Sequence, residues 1–178
     1  KQWTKQLGTA SLDYATGVAT DSSGNVYVTG FTYGGLDGTN AGSADIFVVK
    51  YNSSGTKQWT KQLGTSSYDF ASGVATDSSA NVYVTGETRG GLDGTNAGES
   101  DLFLVKYNSS GTKQWTKQLG TSSSDVARGV ATDSSGNVYV TGYTSGGLDG
   151  NTSAGGNDLF VVKYNSSGTK QWTKQLGS

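Results

Sequence analysis

Along this chain apolar and polar residues alternate with a period of two, in short runs separated by clusters of Gly, Ser, Asn and Asp; no stretch shows helical spacing. In "NVYVTG" (Asn25 to Gly30), Val26 and Val28 alternate with Tyr27 and Thr29, which predicts a strand. "DIFVVKY" (Asp45 to Tyr51) is dense in β-branched and aromatic residues and predicts another. "TKQWTKQLG" (Thr56 to Gly64) places Trp59, Lys61 and Leu63 on one face and Gln58, Thr60 and Gln62 on the other, and "GVATD" (Gly17 to Asp21) supplies a fourth short strand. The turn formers "SSGN" and "NSSG" and a long glycine-rich loop, "GGLDGTNAGSAD", join these runs.

The whole pattern repeats. "KQWTKQLG" begins at Lys1, Lys57, Lys113 and Lys170, giving a period of 56 residues twice and then 57, because "GNTSAGGND" carries one extra residue. A period of this length, with four strands per unit, is the signature of a β-propeller. The reading is therefore all-β: three blades of four antiparallel strands, with "GVATD" innermost and "KQWTKQLG" outermost. Residues 9–64, 65–120 and 121–178 form the blades. Residues 1–8 are an extra outer strand, either the remnant of a preceding blade or a clasp for another chain's edge.

Composition refines this picture. Val, Leu, Ile and Phe make up only 32 of 178 residues, which in a strongly charged chain would argue for disorder. Here the net charge is −1, and 19 aromatic residues recur at fixed places in the apolar runs, so a folded chain is expected. Near-neutral, interspersed charge offers no basic stripe for nucleic acid. No run approaches the roughly 20 apolar residues that span a bilayer, so no membrane insertion is expected. The chain carries no leader pattern and no initiator Met, as expected of a processed or excised piece.

The motif "DxAxGVATDSSGNVYVTGxT" followed by "AGxxDxFVVKYNSSGTKQWTKQLG" resembles the bacterial SBBP repeat, named for a seven-bladed β-propeller, and more distantly NHL-type blades. The resemblance covers essentially the whole chain. It implies a propeller region of a secreted or surface-exposed bacterial protein, with no single activity and no catalytic residues to carry over. Three units are fewer than the 4 to 8 blades of a closed propeller.

Without His or Cys, the Ser-His-Asp and Cys-His arrangements and nearly all transition-metal sites are excluded. The only Glu residues, Glu87 and Glu99, belong to one unit, and no enzyme activity is expected. The 12 Asp residues fall into threefold sets headed by Asp13, Asp21, Asp37 and Asp45, as expected of turn and strand-end hydrogen bonding. No cofactor is expected. The rival reading is a calcium site in the long loop, with Asp37, Asn40 and Asp45 as oxygen ligands, although the spacing is not that of an EF-hand.

Differences between units concentrate in two sets. One precedes "GVATD": Leu12, Tyr14 and Thr16 become Tyr68, Phe70 and Ser72, then Ser124, Val126 and Arg128. The other flanks the long loop: Phe31 and Tyr33 become Glu87 and Arg89, then Tyr143 and Ser145. In a four-stranded blade both sets emerge on one face, opposite the invariant turns. Tyr14, Phe31, Tyr33, Tyr68, Phe70, Glu87, Arg89, Arg128 and Tyr143 are thus the candidate binding residues, for a glycan or protein ligand. Glu87 and Arg89, two apart on a strand, point the same way and could simply pair with each other, an exposed contact worth at most about 1 kcal/mol. Three blades leave two apolar faces unburied, so the expected partner is a second copy, two chains closing a six-bladed ring. An open array or fibre, and a designed consensus repeat without a ligand, are the remaining readings.

Overall fold

The computed structural model describes residues 2–178. Among these residues, twelve strands form three four-stranded antiparallel meanders. Blade 1 comprises β1 (Asp13–Thr20), β2 (Val26–Thr32), β3 (Asp45–Tyr51) and β4 (Lys57–Leu63). Blade 2 comprises β5 (Asp69–Thr76), β6 (Val82–Thr88), β7 (Asp101–Tyr107) and β8 (Lys113–Leu119). Blade 3 comprises β9 (Asp125–Thr132), β10 (Val138–Thr144), β11 (Asp158–Tyr164) and β12 (Lys170–Leu176). A single turn of 3-10 helix, Leu148–Gly150, lies in the loop that carries the extra residue.

The inner strand starts earlier than its sequence suggests, at Asp13 rather than Gly17, so Tyr14 and Thr16 are strand residues. A bulge between Ala15 and Gly17, which interrupts the alternation, accounts for the difference. Opposite it stands Gly30, where a Cβ would lie 1.8 Å from the Tyr14 carbonyl oxygen. The N-terminal copy also departs from expectation: Gln2–Gly8 forms no strand and pairs with no sheet in this chain. Lys1 lies outside the described residues.

The middle strands are apolar on both faces, so blade 2 is covered from both sides and blades 1 and 3 each from one. Tyr27, Ile46 and Val48 of blade 1 pack with Val82, Val84, Phe103, Val105 and Tyr107 of blade 2. One repeat on, Tyr83, Leu102 and Leu104 pack with Val138, Val140, Phe160, Val162 and Tyr164. Trp59 and Leu63 close the outer edge of the first interface, Trp115 and Leu119 that of the second. The inner strands are held together by threonines: Thr76 Oγ1 donates to the Thr20 carbonyl at 2.9 Å and Thr132 Oγ1 to that of Thr76 at 2.8 Å.

The outer strand also locks the long loop. Gln62 accepts from the Leu36 N–H at 2.7 Å and donates to the Gly34 carbonyl at 3.0 Å and to Asp45 Oδ2 at 2.8 Å. Gln118 and Gln175 repeat the clamp on Leu92 and Leu148. The other oxygen of Asp45, buried and without a hydrogen-bond donor, lies against Gly64, where a Cβ would come within 2.0 Å of it. The closing glycine of "KQWTKQLG" is therefore a packing requirement. Gly64→Ala should lower unfolding free energy by about 1–3 kcal/mol through overpacking; an unchanged midpoint in chemical denaturation would refute the contact.

Candidate ligand-binding face

The two ends of the blades differ in kind. At one end lie the β1–β2 and β3–β4 turns, nearly identical in every blade. Asp21 Oδ1 accepts from the Ser23 and Asn25 N–H groups at 3.0 and 2.9 Å, and its Oδ2 from Asn25 Nδ2 at 2.8 Å and the Tyr27 hydroxyl at 2.9 Å. In the other turn Asn52 Oδ1 accepts from the N–H groups of Ser54 at 3.1 Å and Thr56 at 2.8 Å, with Gly55 at φ 79°. These side chains satisfy their own backbone and leave this end uniform.

At the opposite end, strand pairing merges the two variable sets into one surface. Tyr14 stands opposite Phe31 in the β1–β2 register, Phe70 opposite Glu87, and Val126 opposite Tyr143. The Tyr33 N–H donates to the Leu12 carbonyl, and the Arg89 N–H to that of Tyr68, each at 2.9 Å. Positions that vary together along the chain are thus cross-strand neighbours.

Five of the predicted residues form one chain of touching rings across blades 1 and 2. Tyr14 stacks on Phe31 with centroids 5.0 Å apart, and Tyr33 meets Phe31 edge-on at 6.1 Å. Phe31 meets Phe70 across the blade junction at 4.7 Å, and Phe70 stacks on Tyr68 at 5.6 Å. Tyr14, Tyr33 and Tyr68 are exposed, so the rings present a polar-tipped apolar surface to solvent.

The other four lie toward blade 3. The Arg89 guanidinium sits 5.7 Å from the Tyr68 ring centre, and that of Arg128 5.4 Å from the Tyr143 ring centre, with an Arg128–Tyr143 hydrogen bond of 3.4 Å. Arg89 thus covers a ring rather than pairing with Glu87, and no ion pair joins the two among the described residues. The cation lies over the face of its cross-strand neighbour instead. Between these groups is a cavity of about 490 Å³ lined by Glu87, Arg89, Tyr143, Glu99, Ser100 and Ser124. The last three were not among the predicted site residues. Glu99 stands where blade 1 has Ser43, so the same comparison of units, carried into the long loop, would have found it.

The loop residues read as calcium ligands are engaged separately. Asp37 lies 3.8 Å from Lys61 Nζ, Asn40 Oδ1 accepts from the Gly42 N–H at 2.9 Å, and Asp45 Oδ2 accepts from Ala41 N–H and Gln62. The Asp13 set caps the connection between blades: Asp69 accepts from the Thr65 N–H at 2.6 Å and from the Thr88 hydroxyl.

Comparison with known proteins bears on the repeat. Residues 2–37, 58–93 and 114–149 match the SBBP beta-propeller repeat. The chain is 28% identical over 228 aligned residues to an uncharacterized WD repeat-containing protein, L264, of Acanthamoeba polyphaga mimivirus, covering 99% of this chain and 16% of that protein. It is 26% identical to the regulatory protein FlaEY of Caulobacter vibrioides, covering 89% of this chain and 19% of that one. The chain thus spans less than a fifth of either relative. A crystal structure of a Bacteroides caccae protein of unknown function superposes with a TM-score of 0.53 at 10% identity, over 98% of this chain and 50% of that one, which is a likeness of fold.

The repeated carboxylates give the fold an acid limit. Burial pushes Asp21 and Asp77 up, but the hydrogen bonds from Asn25 and Tyr27, and from Asn81 and Tyr83, outweigh it and leave both below the ordinary range. At Asp133 the Asn137 hydrogen bond is the largest influence and acts in the same direction. A carboxyl lower in the folded than in the unfolded chain stabilises fully above the unfolded value of about 3.9 and less as pH falls through the folded one. Asp69 opposes this, because burial raises it despite its bonds to Thr88 and Thr65. The melting temperature should therefore fall between about pH 5 and pH 2, with a shallower slope when Asp21, Asp77 and Asp133 are all Asn. A flat profile in the parent chain would contradict this balance.

Proposed function

Because the chain belongs to the SBBP beta-propeller repeat family, we propose that it is a non-catalytic scaffold whose blades assemble with a second copy into a closed six-bladed ring. Such a ring would belong to a secreted or surface-exposed bacterial protein, as the family resemblance implies.

The observation that carries ring closure is the chemistry of the two end faces. Blade 3 turns Leu159, Trp172 and Leu176 outward, 53%, 39% and 67% exposed, beside Tyr139 and Val161. These are the counterparts of Leu102, Trp115, Leu119, Tyr83 and Leu104, which bury themselves against blade 3. Tyr139 and Trp172 lie 6.2 Å apart, against 6.0 Å for Tyr83 and Trp115. Blade 1 carries the complement, Val26, Val28, Phe47, Val49 and Tyr51. One chain thus bears both halves of a third interface at opposite ends, a head-to-tail contact that closes when the rotation permits. Two copies supply six blades, within the usual 4 to 8, whereas three would supply nine.

A second reading, a glycan- or protein-binding role for the variable face, is favoured by the five touching rings beside a polar cavity. Rings that expose both a π-face and a hydroxyl suit either ligand.

Light scattering at micromolar concentration should give twice the 18.4 kDa chain mass, and Leu159→Lys should return it to one chain. A folded monomer throughout would end the ring proposal, and particles lengthening with concentration would replace it with an open array. For the variable face, a glycan array and a pull-down should show binding that drops at least tenfold when Tyr14, Tyr33, Arg128 and Tyr143 are all Ala. Undiminished binding by that variant would exclude this face.

A further inference from the structure

The unpaired N-terminal copy of "KQWTKQLG" has a definite seat. Trp3 Nε1 donates to the Ser53 carbonyl at 3.2 Å, as Trp59 Nε1 does to that of Ser109 at 3.2 Å. A Cβ on Gly55 would meet the Trp3 ring at 2.8 Å and Lys5 Cε at 3.2 Å; on Gly111 it would meet the Trp59 ring at 2.9 Å and Lys61 Cε at 3.1 Å. Leu7 packs with Phe47, Val49 and Tyr51, as Leu63 does with Phe103, Val105 and Tyr107. The connection that follows is locked as between the blades, with the Thr9 N–H donating to Asp13 Oδ2 at 2.7 Å and the Thr65 N–H to Asp69 Oδ2 at 2.6 Å. Residues 3–7 therefore lie on blade 1 as β4 lies on blade 2.

What differs is the rest of the interface. Among the described residues no sheet backs the segment, and a cavity of about 310 Å³ remains between it and Val26, Val28 and Phe47. Val26 and Val28 are half-buried, whereas their counterparts Val82 and Val84 are fully buried beneath the middle strands of blade 1. The docking face is thus filled at its outer edge and open at its centre.

We propose that residues 2–8 act as a self-cap, occupying within one chain the seat that β12 of a second copy must take when its blade 3 docks on blade 1. The partner in this inference rests on the ring-closure reading. The incoming strand repeats the cap residue for residue, from Gln171 to Gly177, so its contacts with blade 1 replace those of the cap and add nothing. Either the cap peels away, or it takes the edge of the partner's β11 and β12 is left free. By both routes one copy of the string loses its seat, and association draws only on the packing of the inner and middle strands.

Deleting residues 1–8, or making Trp3→Ala with Leu7→Ala in the full chain, should therefore tighten self-association. Sedimentation over a concentration series should show a dissociation constant at least tenfold lower for the deletion. Peptide KQWTKQLG, titrated into the deleted chain, should bind by calorimetry and return the dissociation constant toward that of the parent. Dimerisation with equal or weaker affinity after deletion overturns the cap and leaves ring closure standing. Peptide binding by a deleted chain that stays monomeric overturns ring closure and supports the cap. Neither dimer nor peptide binding at millimolar peptide overturns both.

Discussion

The structure depends on a sheet that is apolar on both sides. The middle strands of each blade send Tyr27, Ile46 and Val48, or their repeats, to one face and Val26, Val28, Phe47, Val49 and Tyr51, or theirs, to the other. A four-stranded sheet with two such faces cannot be stable alone in water, because burying one leaves the other exposed. Stacking resolves this for each internal face, and each added blade relocates the exposed face to the next end. The fold is thus a chain of like contacts, open on the outer face of blade 3 and filled only at its outer edge on blade 1, and a closed ring would fill both.

Polar groups fix how the blades stack. Asp45, Asp69, Gln62, Thr65 and Thr88 meet where one blade's outer strand passes into the next blade's inner strand. The Asp69 N–H donates to the Ala44 carbonyl at 2.9 Å, so backbone as well as side chain spans the junction. Because each polar group has few geometries that satisfy it, the network sets the angle between blades while apolar burial supplies the attraction. The repetition of all these residues follows from the repetition of the junction.

Against this constant frame, the blades differ most at the strand and loop positions of one end. There the residues change from rings in blades 1 and 2 to Glu87, Arg89 and Glu99, and then to Arg128 and Tyr143 in blade 3. A surface that varies on an invariant support is the form taken by binding faces on rigid scaffolds. The same frame gives the N-terminal string a place without giving it a sheet, since its seat is built by blade 1 whether or not a preceding blade exists.

Strand identity, blade count, strand order and the variable end were all legible in the sequence, because period-two alternation and a repeat of 56 residues are local signals that require no knowledge of contacts. The turn roles of Asp21 and Asn52 were legible for the same reason. Other features were not. The start of β1 at Asp13 was hidden by a bulge that breaks the alternation, and Arg89 chose the ring of Tyr68 over Glu87 because of a cross-strand register that no linear spacing encodes. The alternation placed Gln62 on the polar face of its strand and gave Gly64 no role, yet one clamps the long loop and the other makes room for Asp45. Sequence by itself determined which elements form, since that follows from local pattern. Only the tertiary structure decided which polar groups meet at a blade junction and where the spare copy of the opening string comes to rest, since both depend on surfaces made by residues distant along the chain.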